Sequence, residues 1–339
     1  MTKFEGTMKT YCSSIAAAFI LAACVAGTPT LQPASFHEED VLYASGDIQL
    51  AAALLIPDGR GPFPAAVIIQ GSGDSDRSNG WARAWAEALA RRGIAALLTD
   101  KRGSGKSGGD WKTVGFETLA ADAVAGVEYL RSHRSVRRRD VGVVGLSQGG
   151  HIAPVAGTSS DHVAFVVNIS GSSTLPVEQV NHEMRNTFRQ AGLDKAGVDA
   201  GMRIQALAER YLKTGDWDSY RSALTAALNT PLKPVAEGFP QTPDSWVWGW
   251  WRLVGDFDPI AHWRALKVAG LVIYGELDEQ DNVPVAESVR RLKAVTGKDL
   301  TVRVVEGTGH ALRDQNASDR QLRADAVSLL ASWIHEKVN

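Results

Sequence analysis

The 339-residue chain is 44% hydrophobic and 22% charged, and its 36 Lys and Arg against 38 Asp and Glu leave a net charge of −2. That balance provides no global field for nucleic acid or for an acidic surface. Both cysteines, Cys12 and Cys24, lie in the first 24 residues, so the body has no thiol for disulfides, Cys-bound zinc or a cysteine nucleophile.

The first element reads as an export leader. Lys3 and Lys9 give a positive n-region, and residues 13–23 (SSIAAAFILAA) form an apolar run of signal-peptide length, short for a membrane span. Leu21-Ala22-Ala23-Cys24 is similar to a bacterial lipobox, in which Cys24 is acylated and anchors the chain to a membrane. Ordinary secretion, with cleavage after Ala26, is the alternative, and either route takes the chain out of the cytoplasm. Residues 27–36, rich in Pro, Thr and Ser, read as a tether.

Two short apolar runs at residues 41–45 and 50–56 predict an antiparallel start. Residues 65–70 (AAVIIQ) form a continuous buried-strand pattern, followed by a Gly-Ser-Gly turn. A helix is expected over 81–92, closed by Gly93, then a strand over 94–99 and a helix over 116–132. Strand 141–145, helix 149–157 and strand 163–169 continue the alternation, which predicts a mostly parallel sheet with helices on both faces.

The rhythm stops after Ser170. Residues 172–259 hold only helical segments, such as 198–214 and 217–228, and a cluster of Trp246, Trp248, Trp250 and Trp251. Strand 271–275, helix 284–295, strand 300–305 and a last helix over 317–337 then restore it. The expected organisation is therefore a core at 37–171 and 260–339, interrupted by a helical lid at 172–259.

Gly145-Leu146-Ser147-Gln148-Gly149 is a G-x-S-x-G between a buried strand and a helix. Small residues two positions either side let the chain turn sharply and leave the Ser147 hydroxyl protruding above the sheet. Serine is a weak nucleophile and needs a base held by a third group. Downstream, Asp278 follows the strand 271–275, and His310 sits in a Gly-rich loop after the strand 300–305. Both lie at carboxyl ends of parallel strands, and the order Ser, Asp, His is the one this strand-turn-helix nucleophile requires. Asp281 and Glu276 are the alternatives to Asp278. His151, on the helix after Ser147, reads first as a packed helix residue and second as part of a pocket floor.

An acyl-transfer intermediate also needs two N–H donors. The backbone N–H of Gln148 is one, and the loop Gly71-Ser72-Gly73 supplies the other, with Ser72 preferred and Gly71 second. The eight histidines form no HExxH or Cys/His cluster, and neither a metal nor an organic cofactor is expected.

The blocks QGSGDSDR (70–77), DKRGSGKSGG (100–109), GLSQGG (145–150), YGELDEQDNVP (274–284) and GTGH (307–310) resemble those of bacterial α/β-hydrolase esterases, some related to dienelactone hydrolases. The resemblance spans nearly the whole chain after the tether except the lid, although Gln70 stands where a His often precedes the glycine turn. It implies an α/β-hydrolase fold, with a mostly parallel eight-stranded sheet and a helical lid inserted after the sixth strand. It also implies a carboxylesterase acting on a small-molecule ester, with thioesterases, acyltransferases and peptidases among the relatives.

Other signals are set aside. Gly105-Lys106-Ser107 imitates a phosphate loop, but Asp100 stands where its first glycine is required. Asp100 and Arg102 are expected in a local polar network instead. The basic run 131–139 reads as a solvated helix end, where cations suit the helix dipole. The four clustered tryptophans either pack the lid onto the body or line an apolar pocket.

Overall fold

The computed structural model describes residues 35–230, 232–314 and 321–338. The leader, the lipobox with Cys24 and the tether up to residue 34 lie outside the described residues. No helix among the described residues is long and apolar enough to cross a membrane.

Eight strands form one sheet: β1 (Phe36–Ser45), β2 (Ile48–Pro57), β3 (Phe63–Ile69), β4 (Ala95–Thr99), β5 (Val136–Leu146), β6 (Phe165–Ile169), β7 (Ala269–Gly275) and β8 (Leu300–Val305). Their spatial order is β1-β2-β4-β3-β5-β6-β7-β8, antiparallel at β1/β2 and β2/β4 and parallel elsewhere. The central strands read as unbroken apolar runs because both their faces are covered. Val67, Ile69, Val143 and Val272 belong to one core, and Ala66, Ile68, Val144 and Ile273 to the other, as alternation across a strand requires.

Six helices cover these faces. On the first lie α2 (Phe116–Ser132), α3 (Gly149–Ser159), α9 (Pro259–Ala265) and α10 (Val285–Lys293), which contribute Leu119, Ile152, Trp263 and Leu292. On the second lie α1 (Gly80–Ala90) and, from the C-terminal end, α11 (Ala324–Val338), with Trp85, Leu89, Leu330 and Trp333. Helix α1 begins where the Asn79 side chain accepts from the Trp81 and Ala82 amides.

Between β6 and β7 the chain leaves the sheet and folds α4 (Pro176–Gln190), α5 (Lys195–Thr214), α6 (Trp217–Ala227), α7 (Lys233–Glu237) and α8 (Trp246–Val254). These helices bury a third apolar cluster of their own, including Phe188, Ile204, Tyr211, Tyr220, Leu224 and Trp248. The insertion therefore carries its own core, while Trp250 and Val254 of α8 join the core on the first face of the sheet.

Three boundaries differ from the sequence reading. Strand β1 starts at Phe36, inside the expected tether, because HEED at 37–40 pairs residue for residue with β2 along one sheet edge. Strand β5 begins at Val136, so Arg137, Arg138 and Arg139 stand in a strand and not in a connector. This stretch is an outlying extension: after Phe63↔Val136 the register shifts before regular pairing resumes at Ala65↔Val141, and charged side chains stay in water. Among the described residues the last helix begins at Ala324, since Leu322 instead bridges Arg313 in an antiparallel pair, and residues 317–320 of the expected helix lie outside the described residues.

Candidate active site

The turn from β5 into α3 places Ser147 at φ 52°, a left-handed conformation that a serine adopts only when its surroundings force it. Its amide donates to the Ile169 carbonyl (2.9 Å) and its carbonyl accepts from the Gly150 amide (2.8 Å), which fixes the turn from both sides. The flanking glycines are needed for space. A Cβ on Gly145 would lie 2.0 Å from the Gly149 carbonyl oxygen, and one on Gly149 would lie 2.4 Å from that of Ile69. Gly149→Ala is thus expected to destabilise the fold by about 1–3 kcal/mol through forced backbone shifts, and to lower kcat by displacing Ser147. Denaturant titration beside steady-state kinetics checks this, and unchanged stability would mean that the contact relaxes freely.

The structure brings the three predicted residues together. His310 Nε2 lies 3.0 Å from Ser147 Oγ, and His310 Nδ1 lies 2.7 Å from Asp278 Oδ2. The Asp278 side chain is fully buried, and its Oδ1 accepts from the Asn282 amide at 3.3 Å. Of the alternative acids, Glu276 instead accepts from the Gly307 amide (3.0 Å), and exposed Asp281 from the Asn282 side chain (3.2 Å). Glu276 and the Leu277-to-Thr308 bond (2.9 Å) tie the loop carrying Asp278 to the loop carrying His310. Trp81, from α1, packs its ring 5.5 Å from that of His310 and donates to the Ala311 carbonyl (2.9 Å).

Ser72 and Gln148 line the same cavity as Ser147. The loop they flank passes in contact with the nucleophile, since a Cβ on Gly71 would touch Ser147 Cβ at 3.5 Å. Neither the Ser72 nor the Gln148 amide donates to another protein group among the described residues. Gln70 holds the loop from below, donating to the Asp76 and Thr99 carbonyls (both 2.9 Å) and accepting from Ser75 Oγ (2.9 Å).

The cavity has a volume of about 380 Å³ and lies between sheet and insertion. Trp111, Phe116 and His151 come from the body, and Val180, Glu183, Trp246, Trp250 and Trp251 from α4 and α8. The tryptophans divide their labour: Trp248 is buried within the insertion against Tyr211 and Tyr220, while Trp246, Trp250 and Trp251 face the cavity. The edges of Trp246 and Trp250 meet the body at Trp111, 5.2 and 5.6 Å between ring centroids.

His151 is both packed and part of the cavity wall. It is buried and stacked on Phe116, and burial pulls its pKa down to about 4, so the ring is neutral.

Two cavity groups escaped the sequence reading. Glu183 is half-buried, its pKa raised first by desolvation, and among the described residues it has no hydrogen bond or ion pair with another protein group. It stood out by nothing in a charged, amphipathic helix. Lys101 lies between the two residues singled out for the polar network and belongs to neither of that network's pairs. Arg77 contacts Asp100 Oδ1 and Oδ2 (both 3.0 Å), and Arg102 contacts Asp122 (2.6 and 2.9 Å). Lys101 turns the other way, towards Gln148 and the glycine loop. Among the described residues, no group of three or more His, Cys, Asp or Glu is placed to hold a metal ion.

Comparison with known proteins agrees with this architecture. Residues 45–309 match the model of the X-Pro dipeptidyl-peptidase (S15) family. A stretch of 168 residues is 28% identical to esterase EstD of Thermotoga maritima, covering 48% of this chain but only 39% of that longer relative. A Pyrococcus furiosus esterase superposes with a TM-score of 0.58 at 19% identity, over 90% of this chain and 92% of its own. A dienelactone hydrolase from Anabaena variabilis gives 0.52 at 16% identity, over 89% and 98%. With its sheet order, helical insertion and strand-end serine, histidine and aspartate, the chain belongs to the X-Pro dipeptidyl-peptidase (S15) family and has the α/β-hydrolase fold.

Proposed function

We propose that this protein hydrolyses carboxylic esters of small or medium, apolar substrates through an acyl-serine intermediate. The observation that carries the reading is the unbroken chain Asp278–His310–Ser147 opening into an aromatic cavity. Ser147 Oγ attacks the ester carbonyl while His310 Nε2 takes its proton and returns it to the departing alcohol. Asp278 keeps the proton of the imidazole on Nδ1 and stabilises the imidazolium. The Ser72 and Gln148 amides receive the oxyanion, and water activated by His310 then releases the acid. The likeness to esterase EstD supports an oxygen ester as the bond broken. The insertion acts as a lid that excludes water from the acyl-enzyme.

A second reading, peptide hydrolysis on the same residues, is favoured by the S15 family match and by the Glu183 carboxylate in the cavity wall, which has no partner among the described residues and suits a substrate ammonium. Parallel assays with p-nitrophenyl esters, acyl-CoA and aminoacyl or X-Pro anilides separate the readings. A kcat/KM for the esters at least about 100-fold above the anilides is expected, roughly 3 kcal/mol of transition-state preference. The reverse order would give the second reading precedence. Labelling with a fluorophosphonate followed by peptide mapping should place the adduct on Ser147, and a folded protein that resists the probe would count against both.

For location, we propose export with a lipid on Cys24, on the strength of the apolar run that ends at that residue. Metabolic labelling with a radiolabelled fatty acid, lost in Cys24→Ala, is the expected result.

A further inference from the structure

Lys101 is buried at 7% exposure just after β4, yet among the described residues its ammonium makes no ion pair. Its three hydrogens go to three neutral acceptors: the Gly71 carbonyl (3.0 Å), the Gly73 carbonyl (3.2 Å) and Gln148 Oε1 (2.8 Å). Two of these acceptors flank Ser72 on either side, and the third belongs to Gln148. Its fourth side is closed by the Trp111 ring, 4.3 Å from Nζ to the centroid. Trp111 is itself held by a bond from Nε1 to Asp74 (2.7 Å) and by the edges of Trp246 and Trp250.

A buried cation is costly unless it does something that a neutral side chain cannot. Burial pulls its pKa down to about 7, a measure of that cost. What it does here is geometric. The Ser72 and Gln148 amides lie on two segments far apart in sequence, and among the described residues no backbone hydrogen bond joins them. Among the described residues, Lys101 is the one side chain bonded to both segments.

We infer that Lys101 is a positioning residue for the oxyanion site, in which its ammonium clamps the Gly71–Gly73 loop to Gln148 and so fixes the two amide donors relative to Ser147. The inference rests on the reading of those amides as oxyanion donors. It further links them to the cavity wall through Trp111, so that one cation sets both the floor of the substrate site and the place where negative charge develops. Oxyanion donors work only within a few tenths of an ångström of the correct place, and they act on the transition state and not on the bound substrate.

The test uses Lys101→Met, which keeps the unbranched stem as far as Cε and removes the ammonium donors. Turnover of a p-nitrophenyl ester is measured with the binding of two inhibitors of one chain length. A trifluoromethyl ketone adds Ser147 to form a tetrahedral oxyanion, whereas the matching methyl ketone binds as a ground-state analogue. The expected result is a kcat lower by about 10- to 100-fold, a trifluoromethyl ketone weakened by a similar factor, and KM and methyl ketone affinity within about three-fold. Gln148→Met, which removes the acceptor but keeps the backbone N–H, should show the same split at smaller size. Combined with Lys101→Met it should lose less than the product of the two single losses. If Lys101→Met does not fold, Gln148→Met decides. Equal weakening of both ketones, or kcat unchanged in a folded variant, overturns the clamp. Wild-type turnover and labelling at Ser147 are read in the same experiment, and their absence would sink the hydrolase reading itself.

Discussion

Ser147→Ala is expected to lower kcat by about 10⁵- to 10⁶-fold, or some 7–8 kcal/mol of transition-state stabilisation. The loss is this large because the serine, the histidine and the aspartate act as one unit: without Oγ, His310 Nε2 has no proton to take and no acyl-enzyme forms. The residual rate is expected to come from the proposed Ser72 and Gln148 donors acting on a water-borne reaction. The fold should hold. Ser147 sits at φ 52° whatever its side chain, and exchanging its hydroxyl for hydrogen removes no buried apolar surface. Ester turnover, thermal unfolding and fluorophosphonate labelling of the variant check this. Activity within ten-fold of the parent would remove Ser147 from the mechanism, and a coincident loss of stability would make the kinetic result structural.

Asp278→Asn is expected to cost about 10⁴-fold in kcat with little change in KM. The direction follows from the carboxylate's two contacts. Oδ1 accepts from the Asn282 amide and Oδ2 faces His310 Nδ1. An asparagine must keep its carbonyl oxygen on the Asn282 amide, which turns its NH₂ group towards the imidazole. Nδ1 then becomes the acceptor and the ring proton moves to Nε2, so that the histidine donates to Ser147 and no longer accepts from it. The group is fully buried, and no water replaces the lost geometry. The variant should bind the substrate-like methyl ketone normally and label with fluorophosphonate far more slowly than wild type. A loss smaller than ten-fold would show that another group, such as the cavity carboxylate Glu183, orients His310.

Much of this was legible before any coordinates. The central strands stand out in sequence because a parallel strand covered on both faces has no polar positions to break its run, as at residues 65–69 and 141–146. The nucleophile turn is legible because its steric demands are local: only glycine fits two positions either side of Ser147. Asp278 and His310 follow from the order of strand ends, although the choice of Asp278 over Glu276 and Asp281 required the loops to be seen closing on each other.

The boundaries that failed share a cause. HEED in β1 and the arginines of β5 are polar stretches that lie in strands because they run along an edge or an extension where water is present. Hydrophobic pattern reports burial and only indirectly hydrogen bonding, so exposed strands carry little signal.

By itself, then, the sequence determined the sheet, the tight turn at Ser147 and the strand-end placement of Asp278 and His310, each of which is set by local steric fit or by runs of buried residues. The tertiary structure alone decided which tryptophans face the cavity, that Glu183 lines it, and that Lys101 turns towards Gln148 between two neighbours paired elsewhere. Those outcomes depend on acceptors supplied by segments distant in the chain, at Gly71, Gly73 and Gln148 for Lys101. Hydrogen bonding between such segments leaves no periodic or local trace, because the free energy of a buried cation is set by where the fold brings its partners and not by its neighbours in sequence.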